Sequence, residues 1–231
     1  MFARSLLSLV VAGGLLLAAP SAYGQGATPA AKPTGTKQQD SKKQSETSAK
    51  KSDGVSVGDT APAFTLTDTD GKTVNLSDYK DKIVVLQWFN AECPHVAKHY
   101  GKKGSTFNDL HKDFSGKDVV FLAVNSGAAG KQGSGKDLNA KYKKEWNQPY
   151  PILLDENGTV GKAYGATRTP DMYIIGKDGK VAYKGGIDNN KSFDDKEYKN
   201  YVRQALNQLV KGETVTEPET KSYGCGVKYA N

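Results

Sequence analysis

The strongest pattern in the chain is a run of seven residues, Ile83 to Phe89, apolar throughout except for Gln87. A strand covered on both faces reads this way, because neither side can afford alternating polar positions. Asn90, Ala91 and Glu92 follow as a short turn, and Cys93-Pro94 opens the next element. Proline is suited to the first position of a helix, where its missing N–H is not needed. The pattern therefore predicts a buried strand, then a helix running from Cys93-Pro94 to about Tyr100, where Gly101 and Gly104 interrupt it. The helix resumes over Thr106 to Phe114, with Phe107, Leu110 and Phe114 on one face.

Shorter apolar runs complete the set. Phe64 to Leu66, an Asp70-Gly71 turn and Thr73 to Leu76 predict an amino-terminal β-hairpin. Asp118 to Val124 is a second buried strand, reached through a helix as a parallel crossover requires. Asn125 to Lys136 is rich in Gly and Ser and reads as a loop at a strand end. Leu138 to Trp146 predicts a helix, Pro149 to Leu154 a third strand and Val160 to Tyr164 a short helix ending at Gly165. Met172 to Ile175 and Val181 to Tyr183 flank Asp178-Gly179 as a hairpin. Finally, Lys196 to Val210 spaces Tyr198, Tyr201, Val202, Ala205, Leu206 and Leu209 as one helix face.

The first 54 residues carry a different pattern. Arg4, an apolar run from Leu6 to Ala19, Pro20 and Ala22-Tyr23-Gly24 are built as a signal peptide over residues 1–24, with cleavage before Gln25. The run is short for a membrane span, which takes about 20 residues. Residues 25–54 lack large apolar side chains and read as a disordered Lys-, Gln- and Ser-rich linker. A periplasmic or secreted location is the expectation. Six lysines against three acidic residues place +3 in this linker, and Arg4 adds one. Of the formal charge of +7, only +3 belongs to residues 55–231, so no basic face predicts a nucleic-acid partner.

Four segments, in order, resemble redoxins of the alkyl hydroperoxide reductase/thiol-specific antioxidant (AhpC/TSA) type within the thioredoxin superfamily. They are Val57 to Leu66 (VGDTAPAFTL), Cys93-Pro94, Thr169-Pro170 and Asp171 to Gly185 with its KDGK turn. The resemblance covers about residues 55–211, with a tail at 212–231. It implies an α/β, thioredoxin-like fold: a central mixed β-sheet flanked by helices, with an amino-terminal hairpin. It also implies thiol chemistry without a cofactor, centred on Cys93, with Thr169 and a cis Pro170 presenting backbone to an extended substrate. Two positions depart from the family pattern. Val96 stands where thioredoxins carry their second cysteine, and Asn90 stands where peroxiredoxins carry Thr or Ser. Arg168 is the arginine nearest Pro170.

The chain holds two cysteines, so one pairing exists, Cys93 with Cys225. Cys225 sits between Gly224 and Gly226, where the chain has freedom to swing. The expected chemistry is attack of a Cys93 thiolate, favoured at an exposed helix start, on a disulfide or hydroperoxide, with resolution by Cys225. An external thiol reductant, thioredoxin-like or a membrane reductase, restores the dithiol. A permanent bridge pinning the tail is the structural alternative. The candidate substrate-binding residues are Asn90, Arg168, Thr169 and Pro170. A second class of function is a copper or zinc carrier using Cys93, His95 and His99, since the two histidines are spaced i, i+4. His111 reads as surface, and Trp88 and Phe89 as core.

Overall fold

A computed structural model describes residues 54–100, 105–190 and 198–230. The expected signal peptide and nearly all of the linker lie outside the described residues, as does the break at Gly101 and Gly104. No described helix is long and apolar enough to cross a membrane.

The chain builds β1 (Thr65–Asp68), β2 (Thr73–Asn75), a 3-10 turn (Leu76–Tyr79), β3 (Ile83–Trp88), α1 (Pro94–Ala97) and α2 (Thr106–Phe114). It continues with β4 (Val119–Asn125), α3 (Lys136–Glu145), β5 (Ile152–Leu154), α4 (Thr159–Tyr164) and β6 (Arg168–Thr169). Then come β7 (Asp171–Ile175), β8 (Val181–Gly185), α5 (Tyr201–Val210) and β9 (Cys225–Gly226). Seven strands form one mixed sheet in the order β2-β1-β5-β4-β3-β7-β8, while β6 and β9 form a separate two-stranded ribbon. The pairs β3–β4 and β4–β5 are parallel; both edges are antiparallel hairpins.

Every residue of β3 is buried. Its alternation sends Ile83 and Val85 to the face covered by α2 and α5, and Val84, Leu86 and Trp88 to the opposite face, which Val160 and Tyr164 of α4 cover. Each such side chain contributes about 1.5–3 kcal/mol relative to exposure. Gln87 shares the first face, where its Oε1 accepts from the Tyr100 hydroxyl at 2.7 Å and from the Tyr150 hydroxyl at 3.0 Å. The polar interruption in the strand is thus the acceptor for two buried phenols.

Three local expectations need correction. The first helix ends at Ala97, and Lys98 to Tyr100 continue as turns. The last helix begins at Tyr201, where Asn200 caps it by accepting from the Arg203 N–H at 2.8 Å; a capping side chain outcompetes the apolar spacing that suggested Lys196. His111 is half-buried, its ring stacked on Tyr150 at 5.6 Å and edge-on to Phe121, and burial lowers its pKa.

Candidate active site

Register brings the site together. In the antiparallel pair of β3 and β7, Trp88 lies opposite Asp171. The chain leaving β3 and the chain entering β7 therefore meet at one end of the sheet. Cys93 arrives there through the turn that follows β3, and Thr169-Pro170, whose peptide bond is cis, arrives immediately before β7. The Cys93 Sγ lies 3.1 Å from the Thr169 carbonyl oxygen.

The tail completes the site. Strand β9 pairs antiparallel with β6, placing Cys225 opposite Thr169 and Gly226 opposite Arg168. The Cys93 and Cys225 sulfurs are 2.7 Å apart, with no bond between them. Less than an ångström of movement separates that contact from a disulfide of about 2.05 Å. Burial and the adjacent Cys93 push the Cys225 thiol up to about 11. At neutral pH Cys225 is thus held as a protonated thiol, suited to follow rather than begin a reaction.

The exposed helix start expected for Cys93 is not what the structure shows. Cys93 is 0% exposed, set within the apolar cluster that includes Val96 and Phe107, with Cys225 of the tail against its sulfur. Its side chain faces the Thr169 carbonyl and does not cap its own short helix.

Two residues beyond the cysteines seat the tail. The Tyr223 hydroxyl donates to Asp188 Oδ1 and lies 3.2 Å from His99 Nε2, while His99 Nδ1 is 3.2 Å from the Thr106 hydroxyl. Burial first, then Lys98 and His95, lower the His99 pKa to about 3, so the ring is neutral. With Tyr223 donating to Asp188, His99 donates from Nε2 and accepts from Thr106 at Nδ1. The 4.0 Å approach of His99 to Asp188 is therefore not an ion pair at neutral pH. Sequence reading missed Tyr223 and Asp188; an aromatic two positions before a lone distal cysteine was the available signal.

The remaining candidates separate. Asn90 is buried in the turn before Cys93, its amide donating to the Gln132 carbonyl at 3.1 Å and its oxygen accepting from the Glu92 N–H at 2.9 Å. It shapes the turn. Thr169 and Pro170 are buried beside the sulfurs, whereas the Arg168 side chain is exposed. His95 and His99 do not share a helix, since α1 ends at Ala97, and both His99 nitrogens are engaged. Among the described residues no group of three or more His, Cys, Asp or Glu side chains is arranged to hold a metal. A hollow of about 490 Å³ lined by Leu76, Tyr79, Val84 and Gly179 lies at the other end of β3, remote from the sulfurs.

Residues 57–184 match the family model of the AhpC/TSA family, more than half of the chain. The chain belongs to the AhpC/TSA family. This AhpC/TSA protein is 30% identical to the thiol-disulfide oxidoreductase ResA of Bacillus thuringiensis over 132 residues, 57% of this chain and 70% of that one. It is also 30% identical to a putative chloroplastic peroxiredoxin Q of Oryza sativa over 139 residues, 56% of this chain and 58% of that one. A crystal structure of an uncharacterized conserved protein from Geobacillus kaustophilus is 33% identical, with a TM-score of 0.69, covering 76% of this chain and 93% of that one. The AhpC/TSA protein is a thioredoxin-superfamily redoxin with the α/β architecture expected, and a thiol-dependent oxidoreductase.

Proposed function

We propose that this redoxin is exported and carries out thiol–disulfide exchange, with Cys93 as nucleophile and Cys225 as resolving thiol. The observation that supports it most is the 2.7 Å approach of the two sulfurs beside the cis Thr169–Pro170 bond. A Cys93 thiolate attacks one sulfur of a disulfide, forming a mixed disulfide and releasing the other half as a thiolate. Cys225 then attacks the Cys93 sulfur and its proton passes to the departing thiolate, leaving a Cys93–Cys225 disulfide. An external dithiol of the thioredoxin-like or membrane-reductase class supplies two electrons and restores both thiols.

A disulfide substrate is favoured over a hydroperoxide by the donors at the site. The group facing the Cys93 sulfur is a carbonyl, the Asn90 amide is spent on Gln132, and Arg168 is exposed with no contact to the sulfurs among the described residues. None of these is placed to stabilise a departing hydroxide, which peroxide cleavage demands. The amino-terminal 24 residues are the proposed export signal.

A single-turnover trap tests the assignment. With a model disulfide in slight excess, Cys225→Ser is expected to accumulate a mixed disulfide on Cys93, and Cys93→Ser to form no intramolecular bridge. A Cys225→Ser protein that turns over at the wild-type rate with the same reductant overturns the resolving role.

A further inference from the structure

The ribbon of β6 and β9 is separate from the main sheet, so its tail strand can leave without breaking a hydrogen bond of that sheet. What holds the tail is local. Val227 N–H donates to the Thr167 carbonyl at 3.2 Å, Ala128 N–H to the Lys228 carbonyl at 2.8 Å and the Tyr229 hydroxyl to the Ala166 carbonyl at 2.8 Å. Upstream, Thr220 is pinned to β8, its N–H donating to the Lys184 carbonyl at 3.1 Å, and Glu219, Thr220 and Ser222 border a polar cavity of about 180 Å³, so the part of the tail that can leave begins after this stretch. Tyr223, 7% exposed and bonded to Asp188 and His99, is the buried anchor.

The seat is also selective. Gly224 has φ +115°, and a Cβ there would stand 2.1 Å from the Thr169 carbonyl oxygen and 3.3 Å from His95 Cβ. Only glycine fits immediately before a cysteine lying in this place. With the tail away, the Thr167–Thr169 edge presents backbone groups that an extended chain satisfies by strand addition.

We propose that the carboxy-terminal tail competes with substrate for this edge, and that the edge selects an extended chain carrying a glycine just before its reacting cysteine. The tail is released when Tyr223 leaves Asp188 and His99. Resting on the thiol–disulfide reading above, this makes protein disulfides the substrate class, admitted in exchange for the tail. While the tail is docked, Cys93 is covered and foreign chains are excluded.

The test uses three full-length proteins: Cys225→Ser, Cys225→Ser with Tyr223→Phe, and Cys225→Ser with Gly224→Ala. Each is reduced and shown folded by near-ultraviolet circular dichroism. The probe is a synthetic peptide of sequence Ser-Tyr-Gly-Cys-Gly-Val-Lys, activated as its thionitrobenzoate disulfide. Cys93 thiolate couples to the peptide sulfur and expels thionitrobenzoate, whose absorbance gives the rate. Both tail variants are expected to couple about tenfold faster or more, the scale set by one hydrogen bond to a charged group lost from the closed state. A control peptide with alanine before the cysteine is expected to lag by a similar factor. Equal rates in all three proteins, or equal rates for the two peptides, overturn the inference while leaving the redox reading intact. A Cys93 inert in every protein overturns both.

Discussion

Thr169 and Cys225 face each other in an antiparallel pair, and the Thr169 carbonyl also stands 3.1 Å from the Cys93 sulfur. One residue thus positions both cysteines, although 132 positions separate them in sequence. The cis bond to Pro170 ends the short strand here, and β7 begins at once beneath it. The geometry of the two cysteines is therefore set by backbone pairing at one end of the sheet.

The elevated Cys225 pKa yields the first prediction. Burial is its largest cause, and the neighbouring Cys93 adds to it. In Cys93→Ala the second contribution disappears, so the pH profile of Cys225 alkylation is expected to move to lower pH, with faster reaction at pH 8. Iodoacetamide labelling followed by peptide mass spectrometry reads it. A profile that stays put, or moves upward, contradicts the coupling of the two thiols.

Two buried groups pull stability in opposite directions with pH. His99, lowered to about 3 chiefly by burial, leaves the unfolded state binding the extra proton, so its stabilisation is lost as pH falls from about 6.5 toward 3. Asp171, raised to about 7 by burial against hydrogen bonds from the Thr167 and Arg168 backbone and from Ser222, binds its proton more tightly when folded. Its contribution is present in acid and lost as pH rises from about 4 to about 7. Urea unfolding at stepped pH is expected to show His99→Gln more resistant to acid than wild type. Asp171→Asn is expected to lose less stability than wild type between pH 4 and 7. Curves parallel to wild type for both variants contradict these burial assignments.

Gln87 gives a stability prediction. The Tyr100 and Tyr150 hydroxyls are 2.6 Å apart, and only one of them can donate to the other. Gln87→Met leaves the second hydrogen without its acceptor, though it also removes the buried Gln87 amide nitrogen, which has no partner among the described residues. A net loss of about 1 kcal/mol in urea unfolding is expected, since an unsatisfied buried donor costs about 1–3 kcal/mol. Removing both hydroxyls as well, in Gln87→Met with Tyr100→Phe and Tyr150→Phe, is expected to recover part of it. A Gln87→Met protein as stable as wild type contradicts the acceptor role.

Much of the fold was legible because its signals are local. The unbroken run in β3, the Asp70-Gly71 and Asp178-Gly179 turns and the spacing of Phe107, Leu110 and Phe114 each specify an element from a few neighbouring residues. Cys93 and Thr169-Pro170 were found for the same reason, lying at the ends of strongly patterned strands. The docking of the tail was not legible. Strands of two residues carry no periodicity, and nothing near Tyr223 announces Asp188 or His99 as its partners. The burial of Cys93, among core side chains and against Cys225 of the docked tail, was not legible for the same reason. The place of Asn90 in the turn was not legible either, because a turn-forming amide and a site-lining amide look alike in sequence.

The central claim, that Cys93 and Cys225 exchange between dithiol and disulfide, is tested most directly on the wild-type protein. Equilibration in graded mixtures of reduced and oxidised dithiothreitol, acid quenching, alkylation and peptide mapping give the bridged fraction at each ratio. A single two-electron transition is expected, with one cross-linked peptide pair joining Cys93 to Cys225 and full return of both thiols on reduction. Two independently alkylated thiols at every ratio, or a bridge that no dithiol reductant opens in the folded protein, would contradict the account.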